Sequence, residues 1–130
     1  MSPDAWVSIL LESTDIAASH FMNFVSLLFA YIVAMYVAAA RLSRFQVASV
    51  TVLYSIFIFL PAASFIRTAS AILSAGEELR KVDPVMADTF FPGANFSVPL
   101  VTSVVPFLFI AAWILSIVFM VSIRRSNDDA

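Results

Sequence analysis

Three long runs without charged residues are separated along the chain by short polar segments. The runs cover 16–40, 45–66 and 97–123, which are 25, 22 and 27 residues without Asp, Glu, Lys or Arg. A helix of about 20 predominantly apolar residues suffices to cross the hydrocarbon of a bilayer. Helices are expected because unpaired backbone polar groups are costly in lipid and three segments cannot close a barrel. The pattern therefore predicts an all-α integral membrane protein with three transmembrane helices in a single membrane domain, 1–130.

The segment before the first run predicts a short separate helix over 3–12. Ser2 can cap it, and Pro3 suits the first helical position. Its large apolar residues fall on one side at helical spacing, so the helix is expected to lie in the membrane interface. These residues are Trp6, Ile9 and Leu10. The first run, with acidic residues before it and arginines after it, predicts an anchor and not a cleaved signal peptide.

The two connections between the runs differ greatly in length. The first, 41–44, predicts a tight antiparallel hairpin of spans one and two. The second, 67–96, begins with helix-forming residues, so span two is expected to continue as far as residue 82. Asp83-Pro84 predicts its end, because the residue before a proline disfavours helical geometry.

Arginines near the ends of the runs predict the orientation in the membrane. An odd number of spans places the group between spans one and two on the same side as the group after span three. These groups are Arg41 with Arg44, and Arg124 with Arg125. Basic residues favour the cytoplasmic side, so the N-terminus is expected outside and the C-terminus inside. Arg67, at the other end of span two, is expected to reach lipid headgroups with its long side chain.

Composition supports the membrane class and narrows the chemistry. The chain is 62% hydrophobic and 12% charged, against roughly 45–50% and about 25% in soluble domains. The net charge of −2 implies no attraction to nucleic acid. There is no cysteine, which removes disulfides and thiolate chemistry. The three runs also lack carboxylates, so no acid–base pair is available within them, and we expect no enzyme activity, cofactor or metal.

One face of span one combines polar and small residues. At 100° per residue, its members are His20, Asn23, Leu27, Tyr31, Ala34 and Ala38, flanked by Ser26 and Ala30. Small and polar residues in membranes usually meet other helices, whereas bulky apolar residues meet lipid. The face predicts helix packing, within the chain or between subunits. The alternative is a polar path lined by His20, Asn23 and Tyr31.

His20 is the only histidine of the chain. Histidine exchanges protons near neutral pH, so a relay or sensor is chemically feasible. A metal site would need further ligands, of which Asp15 is the nearest on the same side. We expect His20 to be a hydrogen-bonded packing residue or to reach water at the membrane surface.

The stretch "LLFAYIVAMY…RLSRFQ…LY" resembles small three-span membrane proteins of bacteria, over roughly spans one and two. This resemblance implies a bacterial inner membrane and no particular activity. In topology the chain is also similar to three-span phage holins, which have the N-terminus outside and the C-terminus inside. The long second connection and the weakly basic tail depart from that pattern.

Two functions follow as expectations. The first is a non-catalytic protein that acts through helix–helix assembly, as a homo-oligomer or as an accessory subunit of a larger membrane complex. Its partners would be the lipid bilayer and other membrane helices. The alternative is an oligomeric, holin-like pore lined by the polar face of span one, including Asn23, Ser26 and Tyr31.

Overall fold

Four helices make up the part of the chain that the structure, a computed structural model, describes: residues 2–91 and 98–129. They are α1 Pro3–Ala38, α2 Arg44–Val82, α3 Pro84–Phe90 and α4 Val98–Asp128. Helices α1, α2 and α4 are long and apolar enough to cross a membrane. The prediction of an all-helical chain with three such helices is confirmed at this level. The end of the predicted connection 67–96 and residue 97, the predicted start of span three, lie outside the described residues.

Helix α1 replaces two predicted elements. It runs from Pro3 to Ala38 without a break, so the separate helix over 3–12 is corrected to the first turns of one helix. The Ser2 hydroxyl accepts a hydrogen bond from the N–H of Ala5, as predicted for a cap. Between the predicted helix and span one, Thr14 donates its hydroxyl to the Leu10 carbonyl one turn back, at 2.8 Å. This bond satisfies the hydroxyl inside a continuous helix.

Local capping explains both ends of α2. Ser43 and Gln46 cap its start reciprocally, each side chain bonding the other residue's backbone N–H. The helix continues to Val82, with Pro61 inside it, and ends at Asp83. Asp83 has extended backbone geometry before Pro84, and its carboxylate accepts the N–H of Met86 at 3.0 Å, which caps α3. The predicted stop is therefore where the helix ends.

The three long helices share one core. Helices α1 and α2 are antiparallel and are joined by a short turn that begins at Ala39. Ala39 is itself part of the shared core. Helix α4 joins them through Phe109, whose ring meets Phe24 edge-on with centroids 4.4 Å apart and Phe65 at 5.6 Å. Aromatic rings thus hold α4 against both partners at once. The fully or nearly buried members are Phe24, Tyr31, Met35, Ala39, Val47, Tyr54, Ile58, Ala62, Phe109 and Met120.

A second core lies where α1 and α2 continue beyond the spans. With 36 and 39 residues, these helices are about 54 and 58 Å long, well above the roughly 30 Å of hydrocarbon. We call 3–15, 67–82 and α3 together the helical extension. Its buried residues are Leu10, Ala75, Leu79 and Ala87, with Trp6, Val7, Ile72, Met86 and Phe91 packed against them.

The helical extension provides the contacts of the apolar side chains in the N-terminal segment. Trp6 and Leu10 pack against α2 and α3, whereas Ile9 is 38% exposed. Most of this side therefore faces protein, where a position in the membrane interface was predicted. Gly76 permits close packing here, since a Cβ atom at that position would lie 2.9 Å from the Phe91 ring. The first part of the predicted connection is therefore an ordered helical structure.

Candidate functional site

A stacked pair of tyrosines lies at the centre of the helix bundle. The rings of Tyr31 on α1 and Tyr54 on α2 are 3.9 Å apart and nearly parallel, at 7°. The hydroxyl of Tyr31 shares a hydrogen bond of 3.0 Å with that of Thr51. The hydroxyl of Tyr54 meets that of Ser116 on α4 at 2.9 Å. Since Ser116 donates its own proton to the Trp113 carbonyl, Tyr54 is the donor in this pair.

Trp113 links α4 to α2 through a second polar contact. Its indole N–H donates to the hydroxyl oxygen of Ser55 at 2.9 Å, and Ser55 donates in turn to the Thr51 carbonyl at 2.7 Å. Every polar group in this chain of contacts has a partner. The network therefore stabilises the bundle by linking α2 to both α1 and α4. No single helical pattern in the sequence connects these residues, because they lie on three different helices.

We expect the contact between Trp113 and Ser55 to be a measurable stabilising interaction. Hydrogen bonds between membrane helices contribute about 0.6 kcal/mol on average and about 1.7 at most. A double-mutant cycle of Trp113→Phe and Ser55→Ala, read from unfolding in mixed detergent micelles, should give a coupling energy in this range. Additive effects of the two substitutions would contradict the contact. The matched control pairs Trp113→Phe with Ser103→Ala, on the exposed surface of α4.

A groove of about 650 Å³ runs between α1 and α2 and is open to the surroundings. Its walls are His20, Asn23, Ser26, Leu27 and Ala30 from α1, and Phe57, Leu60, Pro61 and Ser64 from α2. Because Phe21 pairs with Phe65 and Tyr31 with Tyr54 in the antiparallel arrangement, His20 lies opposite the turn of α2 that contains Ser64. The polar end of the groove is therefore nearer the helical extension, and the end toward the membrane centre is apolar.

The polar groups of the groove have no partners in the described chain. The side chains of His20, Asn23, Ser26 and Ser64 make no hydrogen bond to another described residue. Pro61 has no N–H to donate to the Phe57 carbonyl, and both residues line the groove. Within a membrane an unpaired polar group is costly. The groove therefore presents unpaired polar groups on an open surface.

The predicted face of span one divides into two parts in the structure. Tyr31 is buried in the tyrosine stack, whereas Asn23, Ser26, Ala30 and Ala34 are exposed. His20 and Ala38 are half-buried. Packing of the exposed alanines within the chain is not observed, and packing between subunits stays a prediction. The α2 wall of the groove was missed, because Pro61 and Ser64 form no polar pattern by themselves.

Of the arginines predicted to set topology, Arg41 lies in the turn between α1 and α2, Arg44 begins α2, Arg67 lies inside α2 where its apolar part ends, and Arg124 and Arg125 lie near the end of α4. Arg41, Arg44, Arg67 and Arg125 are exposed, and Arg124 is half-buried. Within residues 2–91 and 98–129 none of them forms an ion pair. The ion pairs there join Arg80 to Asp88 and Lys81 to Glu78, both in the helical extension. The five arginines are thus available for headgroups, and that role stays a prediction.

Neither metal chemistry nor relatives assign a function to this chain. Among the described residues no three His, Asp or Glu side chains are grouped to hold a metal ion. Comparison with protein-family models, curated proteins and solved structures found no match. The groove between α1 and α2 is therefore the candidate functional site.

Proposed function

We propose that this is a non-catalytic membrane protein that acts through helix–helix assembly, as a homo-oligomer or as an accessory subunit of a larger complex. The observation that supports this most is the set of unpaired polar groups of Asn23, Ser26 and His20 in the open groove. A further transmembrane helix at the groove would satisfy these groups with interhelical hydrogen bonds.

The shape of the α1 surface favours a helix as the occupant. Ala30 and Ala34 are exposed beside the groove, and small side chains let two helix backbones approach closely. Where backbones are close, dispersion and short hydrogen bonds act together, which is how helices associate in lipid. The polar groups of the bundle interior are already paired, so the unpaired polar groups that could bond another helix are those of the groove.

We also propose that the protein resides in a bacterial inner membrane with its N-terminus outside. The pairs Arg41 with Arg44 and Arg124 with Arg125, all exposed except the half-buried Arg124, support this orientation, because basic residues near helix ends favour the cytoplasmic side. The helical extension would then lie on the outer side. Single cysteines introduced at Ser8 and Asn127 test this in intact cells: an impermeant thiol reagent should label the first and not the second.

A pore is the second candidate function, favoured by the open groove that Asn23 and Ser26 line. Tyr31 was expected in the same lining, but its buried ring and its bond to Thr51 remove it from that surface. Dye or ion release from liposomes tests the pore. Release that Asn23→Leu abolishes would favour the pore. Absence of release would leave assembly as the remaining candidate function.

Assembly predicts that Asn23→Ala weakens association without unfolding the chain. Loss of an interhelical hydrogen bond worth about 0.6–1.7 kcal/mol corresponds to a decrease of about 3- to 18-fold in the association constant. The measurement is energy transfer between labelled chains in liposomes at increasing lipid dilution. The matched control is Ser103→Ala, an exposed polar position on α4, which should leave association unchanged.

The proposal also predicts more than one chain, or a second protein, in the particle extracted from native membranes. Its mass in nanodiscs, read together with the identity of the proteins in it, checks this. A particle that contains a single copy of this chain and no other protein would contradict assembly.

A further inference from the structure

An exposed heptad pattern runs along the surface of α1 next to the groove. Positions 23, 30 and 37 are seven residues apart, and positions 26 and 33 lie between them, which is the a/d spacing of a coiled coil. We call Asn23, Ser26, Ala30, Val33 and Val37 the α1 seam. All five side chains are exposed, so the seam is free to pack against another helix.

The seam has a defined end. Glu12 occupies the position one heptad before Ser19, in line with the d positions, and it is exposed. A carboxylate there would face an identical carboxylate in a symmetric pair, which is unfavourable. The contact is therefore confined to the apolar part of α1, within 16–40.

The chemistry of the seam fits a second copy of this chain. Copies inserted in one membrane share one orientation, so a pair related by a two-fold axis along the membrane normal packs α1 in parallel. Each seam residue then meets its own counterpart at equal depth. Asn23 suits this arrangement, because a side-chain amide both donates and accepts. A single Asn at an a position is also a known determinant of register and of oligomer state.

The groove supplies room for the flanking side chains of such a pair. Met22 and Phe29, at g positions, are exposed on α1. In a parallel pair these residues point across to the e positions of the other helix, which here are His20, Leu27 and Ala34. His20 and Leu27 line the groove. Phe29 of the second copy would thus lie beside the small Ala34, and Met22 would lie against Leu27 at the groove wall.

We infer that the occupant of this surface is a second copy of the chain, in a parallel dimer in which the two α1 seams pack together and Asn23 bonds Asn23. The inference rests on the proposed function of helix–helix assembly and names its partner. It also orients the dimer, with the paired α1 helices at the two-fold axis and α4 at the periphery.

The absence of cysteine from the sequence permits a clean cross-linking test in native membranes. Single-cysteine variants Ala30→Cys, Val33→Cys and Val37→Cys on the seam should form disulfide-linked dimers under mild oxidation, since equivalent Cβ atoms approach within bonding reach. The controls are Leu115→Cys on α4 and Val52→Cys on α2, which are 67% and 58% exposed. We expect the seam variants to cross-link on the order of ten times faster than the controls.

A second substitution tests the role of Asn23 in the same membranes. Combined with Ala30→Cys, Asn23→Val should reduce cross-linking to the control level, and Asn23→Gln, which keeps an amide, should restore it in part. The particle should contain two copies of the chain. These results together would support the dimer.

The outcomes that overturn the inference differ from those that overturn assembly. Cross-linking fastest at Leu115→Cys or Val52→Cys, or particles with more than two copies, would refute the α1 dimer and leave assembly standing. Slow cross-linking at every position in a particle that holds a different membrane protein would do the same. A particle with one chain alone would refute both.

Discussion

Replacement of Tyr54 by alanine is expected to lower the free energy of unfolding by about 3 kcal/mol or more, as for other large-to-small substitutions at buried aromatic positions. Tyr54 is buried, stacks on Tyr31 and donates to Ser116. Its removal leaves a cavity between α1 and α2 and an unfilled contact to α4. All three long helices lose part of their shared packing, so this substitution should lower the free energy of unfolding more than removal of any other single hydroxyl or ring.

Two further variants separate the parts of this effect. Tyr54→Phe keeps the stacked ring and removes the hydrogen bond, so we expect a loss of about 0.6–1.7 kcal/mol. Tyr36→Ala, at a tyrosine that is 69% exposed, should cost less than about 0.5 kcal/mol. Unfolding in mixed detergent micelles, followed by circular dichroism, measures all three. Equal effects of Tyr54→Ala and Tyr36→Ala would refute the central position of Tyr54.

Replacement of Leu79 by alanine is expected to destabilise the helical extension by about 2–5 kcal/mol. Leu79 on α2 is fully buried against α1 and α3. The extension has a small core of its own, so the loss of this one side chain removes much of its packing. Because the long helices pack through a different cluster, the membrane spans should remain folded.

Hydrogen exchange resolves this local effect. In Leu79→Ala, amides of α3 and of the last turns of α2 should exchange faster, while amides near Tyr54 should keep their protection. The control is Val85→Ala, at a residue of α3 that is 79% exposed, and it should change little. Fast exchange across 67–90 in the unsubstituted protein would contradict an ordered extension.

Much of the architecture follows from local sequence signals. Hydropathy alone predicted three long apolar helices, since burial in lipid requires apolar length and internal backbone bonding. The boundaries at Ser2 and Asp83 were equally readable, because a capping side chain bonds backbone groups within its own turn. The reciprocal caps of Ser43 and Gln46 at the start of α2 are just as local but were not predicted. These features depend on residues a few positions apart.

The break expected between the helix over 3–12 and span one shows where local signals are ambiguous. Ser, Thr and Asp cap helices, but they also fit inside one when the hydroxyl bonds the carbonyl four residues back, as Thr14 does. The choice depended on a distant part of the chain: Trp6 and Leu10 bury themselves against α2 and α3. A continuous α1 carries them there, and a separate interfacial helix would not.

The candidate site was half visible in the sequence. Periodicity identified the polar face of α1, and Asn23 and Ser26 are indeed on one open surface. It also grouped Tyr31 with them, since a helical projection gives directions around one axis and not the position of the next helix. The stack with Tyr54 draws Tyr31 into the interior.

The sequence thus established the class of protein, the number of apolar helices and most of their ends, because each depends on hydropathy or on capping within one turn. Only the tertiary structure could supply the register of α1 against α2, the side on which α4 packs, and the groove that Pro61 and Ser64 complete. These follow from aromatic rings such as Phe109 fitting between two helices at once. Such a fit is a property of surfaces in contact, which no single helical pattern contains.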